Sequence, residues 1–248
     1  TYTQRGYAYF LRQEFESAIA DYNKAIELAP DYAQTYYYRG MFYDYKGEGK
    51  QALEDYNKAI KLAPTYAEAY NNRGGTYGKT GDYEKAIADF IKAIELAPNY
   101  AQAYRNMGQA YEFKQQYDKA LTNYNKAIEL APDYIQAYLN RAALYFKNND
   151  YDKAITDYSR AIDLAPDLAD AYNYRGDIYV IKEQYEKAIN DYTRALELNP
   201  KLLETYVTRG TAYTRANQYD EALADFNKAI ELKPDYVSAY ANRAQVYF

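Results

Sequence analysis

Two kinds of side chain in this sequence are set up for chemistry, and that chemistry is recognition rather than bond making. Aromatic rings crowd the stretch TYYYRGMFYDYKGEGK, Thr35 to Lys50, which holds Tyr36, Tyr37, Tyr38, Met41, Phe42, Tyr43 and Tyr45. Tyrosine is rigid and amphipathic, so exposed rings make a binding surface; rings at helical spacing make a core. Further along, primary amides recur at Asn71, Asn72, Asn106 and Asn140, with Arg105 among them. An amide offers a donor and an acceptor together and can read a peptide main chain whatever its side chains. Catalytic parts are missing by comparison. The chain has no cysteine and no histidine, which removes thiol nucleophiles, thiolate metal sites and the commonest general base. None of Ser17, Ser159 and Ser238 lies in a G-x-S-x-G setting. The segment GGTYGKT, Gly74 to Thr80, is one residue short of a nucleotide-binding loop and has no strand before it. The sequence reads as non-enzymatic and without a cofactor.

Composition narrows the partners. The chain has 248 residues, 48% of them apolar, and a net charge of −5 with both signs mixed throughout. Nucleic acid and anionic membranes call for a basic patch, so neither is an expected partner. No apolar run approaches the ~18 residues of a membrane span. The expectation is a soluble, cytoplasmic chain.

What must position the rings and amides is a repeat. All seven prolines, Pro30, Pro64, Pro98, Pro132, Pro166, Pro200 and Pro234, stand 34 residues apart, the mark of a repeat array. Counting each proline as position 32, tyrosine fills positions 4 and 11 in every unit, from Tyr2 and Tyr9 to Tyr240 and Tyr247. Position 8 is glycine or alanine, positions 20 and 27 are alanine, and position 24 is tyrosine or phenylalanine. Steps of three and four mark helices. Positions 4, 8 and 11 make the buried stripe of a first helix, and 17, 20, 24 and 27 that of a second. Small residues at 8, 20 and 27 let the two backbones come close. Each second helix stops ahead of its proline, which cannot continue it and restricts the residue before it. The expected organisation is a single array over 1–248, with repeats at 1–32, 33–66, 67–100, 101–134, 135–168, 169–202 and 203–236 and a half repeat at 237–248.

This pattern resembles the tetratricopeptide repeat over the whole chain. The family's W-x2-L-G-x2-Y…A-x3-F…P pattern reads here as Tyr70, Arg73, Gly74, Tyr77, Ala86, Phe90 and Pro98. The resemblance implies an all-α fold: an α-solenoid, a right-handed superhelix of seven antiparallel helix pairs plus one final helix. It also implies a concave face, lined by the first helices, where a protein or peptide ligand binds. One departure is systematic. The family's aliphatic residue at position 7 is arginine in every unit except at Met107, and position 23 is aspartate in every complete unit except at Asn123 of that same repeat. Each repeat should therefore hold a bidentate Arg–Asp pair. Chaperone-binding members of the family grip a carboxylate with lysines at positions 2 and 5; no lysine stands at either here, so a chaperone tail is not the expected ligand.

All but five of the 36 tyrosines fall at framework positions. The five are Tyr7, Tyr37, Tyr38, Tyr45 and Tyr174, and all lie on the helix face away from positions 4, 8 and 11. Phe10, Leu11 and Met41 share that face in the first two repeats, which makes an expected apolar and aromatic patch at the N-terminal end of the groove. The competing reading has neighbouring repeats cover these rings. The candidate peptide-binding set is thus Tyr7, Phe10, Leu11, Tyr37, Tyr38, Met41, Tyr45, Asn71, Asn72, Arg105, Asn106 and Asn140. The final helix carries Tyr240, Val246, Tyr247 and Phe248 without polar replacement, from which end-to-end self-association is expected. Two alternatives to a peptide-binding scaffold stay open at this point: a consensus-like engineered array without a natural ligand, and a regulatory or targeting arm of a larger enzyme.

Overall fold

A computed structural model of the chain describes residues 1–247; Phe248, named above with the final helix, lies outside them. The described residues form fifteen α-helices and no strand. The chain divides into two compact units, Thr1–Pro132 and Asp133–Phe248. The first holds α1 (Tyr2–Leu11), α2 (Phe15–Leu28), α3 (Ala33–Tyr45), α4 (Gly49–Leu62), α5 (Ala67–Lys79), α6 (Tyr83–Leu96), α7 (Ala101–Phe113) and α8 (Tyr117–Leu130). The second holds α9 (Ile135–Lys147), α10 (Tyr151–Leu164), α11 (Ala169–Ile181), α12 (Tyr185–Leu198), α13 (Leu203–Arg215), α14 (Tyr219–Leu232) and α15 (Val237–Val246). Within each unit, odd helices pack on the even helix that follows, as an all-α solenoid requires.

Each turn inside a pair is built the same way. In α5–α6 the Asp82 N–H reaches back to the Tyr77 carbonyl at 3.0 Å, across Gly81 at φ +83°. This closure satisfies the last carbonyls of the helix and needs a left-handed residue. Only Gly47 and Gly81 supply glycine there; Gln13, Gln115, Asn149, Glu183 and Asn217 hold the same positive φ against their Cβ atoms.

The contact between paired helices depends on the small residues at position 8. A Cβ on Gly74 would stand 2.8 Å from Phe90, and one on Gly40 2.8 Å from Tyr56. The large ring at position 24 takes that space: Tyr22, Tyr56, Tyr124 and Phe226 are all but fully buried. Burial of each such side chain contributes about 1.5–3 kcal/mol.

Two further lines of burial escape the helical wheel. Position 10 is sealed between repeats, at Phe42, Thr76, Leu144 and Ile178, so Phe42 is core. Position 5, the place of Tyr37 on the face away from the core, is buried at Thr3, Asn71 and Val207. The reason is the next repeat: position 3 of its first helix lands on position 5, as when Thr35 and Thr3 share a 2.7 Å hydrogen bond and Thr205 donates to Asn173 at 2.8 Å. A wheel drawn for one helix pair has no term for this third neighbour.

The expected Arg–Asp pairs form. Arg39, Arg73, Arg175 and Arg209 each hold their aspartate through Nε and Nη2 at 2.6–2.8 Å. The aspartates are buried, and the Asp89 hydrogen bonds hold the Arg73 guanidinium above its usual range. The third guanidinium nitrogen does something that sequence did not foretell: it reaches the preceding repeat, with Arg39 Nη1 on Asn23, Arg73 on Asn57, Arg175 on Ser159 and Arg209 on Thr193. One arginine thereby ties its own pair together and links it to the repeat before.

Candidate functional site

The proposed N-terminal patch has two parts that meet at Tyr7 and Phe10. Tyr7, Tyr37, Tyr38 and Met41 line an open hollow of about 770 Å³, with Tyr32, Tyr66 and Glu68 completing its wall. Its rings are ordered by mutual contact. Tyr7 stacks on Tyr38 with centroids 4.5 Å apart, and Tyr37 lies 4.8 Å from Tyr66 and 5.4 Å from Tyr38. All four site residues are half-buried, so neighbouring repeats do cover part of each ring. Phe10 and Tyr45 gather around Phe15 near the α1–α2 turn, where Tyr45 meets Phe10 edge-on at 5.4 Å, and Phe10 also reaches Tyr7 with centroids 6.4 Å apart. Leu11 and Tyr45 are the exposed members, at 63% and 61%.

The amides do not form a row of independent hooks. Arg105 Nη1 donates to Asn106 Oδ1 at 3.0 Å, Asn106 Nδ2 to Asn71 Oδ1 at 3.0 Å, Asn71 Nδ2 to Asn72 Oδ1 at 3.1 Å, and Asn72 Nδ2 to the Tyr37 hydroxyl at 3.2 Å. The result is one continuous chain crossing α7, α5 and α3. It joins the amides to the aromatic hollow, which sequence treated as separate features. Asn71 is 1% exposed and is therefore a linker within this chain, not a surface group. Asn72, Arg105 and Asn106 remain half-buried and line a second cavity of about 500 Å³. Its floor is open where Gly75 and Gly78 carry no side chain, and Phe90, Phe113 and Tyr83 close it, the last two stacked at 5.2 Å. Asn140 lies in the second unit, in a separate cavity with Leu139 and Tyr174.

Ring position 24 also meets the groove. Tyr124 donates to Glu112 at 2.8 Å and Tyr192 to Asp177 at 2.7 Å, whereas the buried hydroxyls of Tyr22 and Tyr56 find no partner. Burial pushes the Tyr22 and Tyr56 phenols well above their ordinary range. A buried hydroxyl without a partner costs free energy that phenylalanine avoids. Tyr22→Phe and Tyr56→Phe should therefore leave thermal stability unchanged or raise it by up to about 1 kcal/mol, while Tyr192→Phe lowers it by roughly 1–3 kcal/mol. Circular-dichroism melts of the three variants test this, and equal losses in all three would contradict it.

Repeated helix pairs with a ring-and-glycine seam, stacked through a shared arginine, define a helical repeat protein of the tetratricopeptide class. Family models agree. Models described as tetratricopeptide repeat match residues 65–133, 135–168 and 169–202, and one described as TPR repeat matches 6–44, 43–81 and 210–248. The chain belongs to the tetratricopeptide repeat family. Comparison with curated protein sequences gives no significant match. Among solved structures it is similar to YrrB, described as a TPR protein with an unusual peptide-binding site (23% identity, 76% of this chain and 97% of that one, TM-score 0.66). It is also similar to MamA (27%, 69% and 95%, TM-score 0.63) and to PilF of Pseudomonas aeruginosa (24%, 82% and 93%, TM-score 0.72). The fold implies protein or peptide partners, and proteins of this family are generally non-enzymatic scaffolds. No helix among the described residues is long and apolar enough to cross a membrane.

Proposed function

We propose that the chain is a scaffold that binds a peptide or protein segment along its concave face, anchored at the N-terminal aromatic hollow. The observation that supports this most is the continuity of Tyr7, Tyr38 and Tyr37 with the amide chain through Asn72. An apolar anchor and a set of main-chain readers lie side by side on one surface. Hydrogen bonds contribute about 0.5–1.5 kcal/mol each, so affinity rests on the rings and orientation on the amides. Tyr37 accepts from Asn72 and keeps its own hydroxyl proton for a ligand carbonyl. The peptide-binding site described for YrrB, a protein of the same fold, is in keeping with this reading.

Peptides selected from a random displayed library against the intact chain provide the test. Tyr38→Ala is expected to weaken their binding by about tenfold or more, as for an aromatic hot spot. Met41→Ala should weaken it less. Gln51→Ala, on an exposed stretch of α4, should not alter it. Selected peptides that bind the Tyr38 variant as tightly as the parent would remove the hollow from the site.

A further inference from the structure

The second unit carries a groove of different character. A cavity of about 850 Å³ between α9 and α11 is lined by Phe146, Tyr158 and Tyr174 and by three carboxylates, Asp167, Asp170 and Asp177, with no lysine or arginine in its wall. Tyr158 is 3% exposed, and its hydroxyl, unlike that of Tyr192 one repeat on, has no hydrogen-bond partner among the described residues. Its ring lies 5.8 Å from that of Tyr174, which is half exposed at the cavity mouth. Three nearby cations are engaged elsewhere: Arg175 with Asp191, Arg209 with Asp225 and Lys182 with Asp152. The carboxylates do not converge into a group able to hold a metal ion among the described residues.

We infer that this cavity accepts a cationic side chain, arginine before lysine, from the partner segment in the groove. The chemistry is matched on both sides. A guanidinium stacks on an aromatic face and donates from its edge to carboxylates; here the Tyr174 ring and the Asp170 and Asp177 carboxylates surround one space. Asp177 sits at a cost until such a charge arrives, because burial and the nearby Glu204 push its carboxyl above the ordinary range despite the Tyr192 hydrogen bond. The Tyr158 hydroxyl is left to accept from the same cation.

This inference rests on the groove being a binding face, yet it is testable without the natural partner. The probes are acetylated, amidated Gly-Arg-Gly and its neutral isostere with citrulline in place of arginine, followed by the ring resonances of Tyr158 and Tyr174. The arginine peptide is expected to shift both rings and to bind roughly three- to tenfold more tightly than the citrulline peptide, the range for a cation–π contact. Asp177→Asn and Tyr174→Ala should each abolish that difference, and Tyr174→Phe should retain it. Equal binding of the two peptides, or a preference that survives Asp177→Asn, would overturn the proposal. If library-selected peptides still depend on Tyr38 in that case, only the cation pocket fails and the groove reading stands.

Discussion

Replacing Arg73 by methionine alone is expected to lower the unfolding free energy by about 3–5 kcal/mol, the cost of stranding a buried charge. Asp89 is 6% exposed, and its carboxylate is held by Arg73 Nε and Nη2 at 2.7 and 2.6 Å. Removing the guanidinium also breaks the 2.6 Å bond from Nη1 to Asn57, which ties repeat to repeat. Adding Asp89→Asn to the same chain should return most of the loss. The fourth repeat already shows how: with Met107 in place of the arginine, position 23 is Asn123, which turns its amide onto the Lys119 carbonyl at 2.8 Å. Both residues are buried there and neither is charged. A double-mutant cycle in urea measures the coupling. If Arg73→Met unfolds at the parent midpoint, the pair behaves like a screened surface contact worth little.

Much of the architecture was legible because the repeat supplies its own alignment. Proline spacing, the Tyr-Gly-Tyr seam of the first helix and the Ala-aromatic-Ala seam of the second lead directly to the helix pairs, and the joint loss of Arg and Asp in one repeat betrayed their contact. Contacts between repeats were harder to read. Phe42 and Asn71 fall on the wrong side of the core boundary in a helical wheel, which knows one neighbour, while α5 packs against α3, α4 and α7 as well as α6. Within the candidate site, sequence separated Tyr7, Tyr37, Tyr38 and Met41 from framework tyrosines, and the structure brings these four into one hollow. It missed Tyr66 and Tyr32 in the same wall, since both stand among the tyrosines at framework positions. Nor could spacing show that Phe10 and Tyr45 turn toward Phe15, because that depends on how α1 and α3 are offset along their axes.

The amide chain gives the other large expected effect. Asn71→Leu should destabilise the fold by about 1–3 kcal/mol, because it leaves Asn106 Nδ2 and Asn72 Oδ1 without their partners in partly buried surroundings. Leucine itself is acceptable at this position, as Leu139 shows one repeat beyond Arg105, so the loss measures unpaired neighbours rather than bad packing. A thermal melt reads the first part. Faster exchange of the Asn106 side-chain amide protons reads the second, and unchanged exchange would mean that the chain is not formed in solution. The consequence reaches the binding face. Asn72 and Asn106 each spend one donor and one lone pair on a neighbour and keep a second N–H for a ligand. Their orientations are thereby set before a peptide arrives, which reduces the ordering cost of binding. On this account Asn71→Leu weakens a selected peptide through misaligned Asn72 and Asn106, without Asn71 ever touching it. Such a loss should appear even though Asn71 itself is buried.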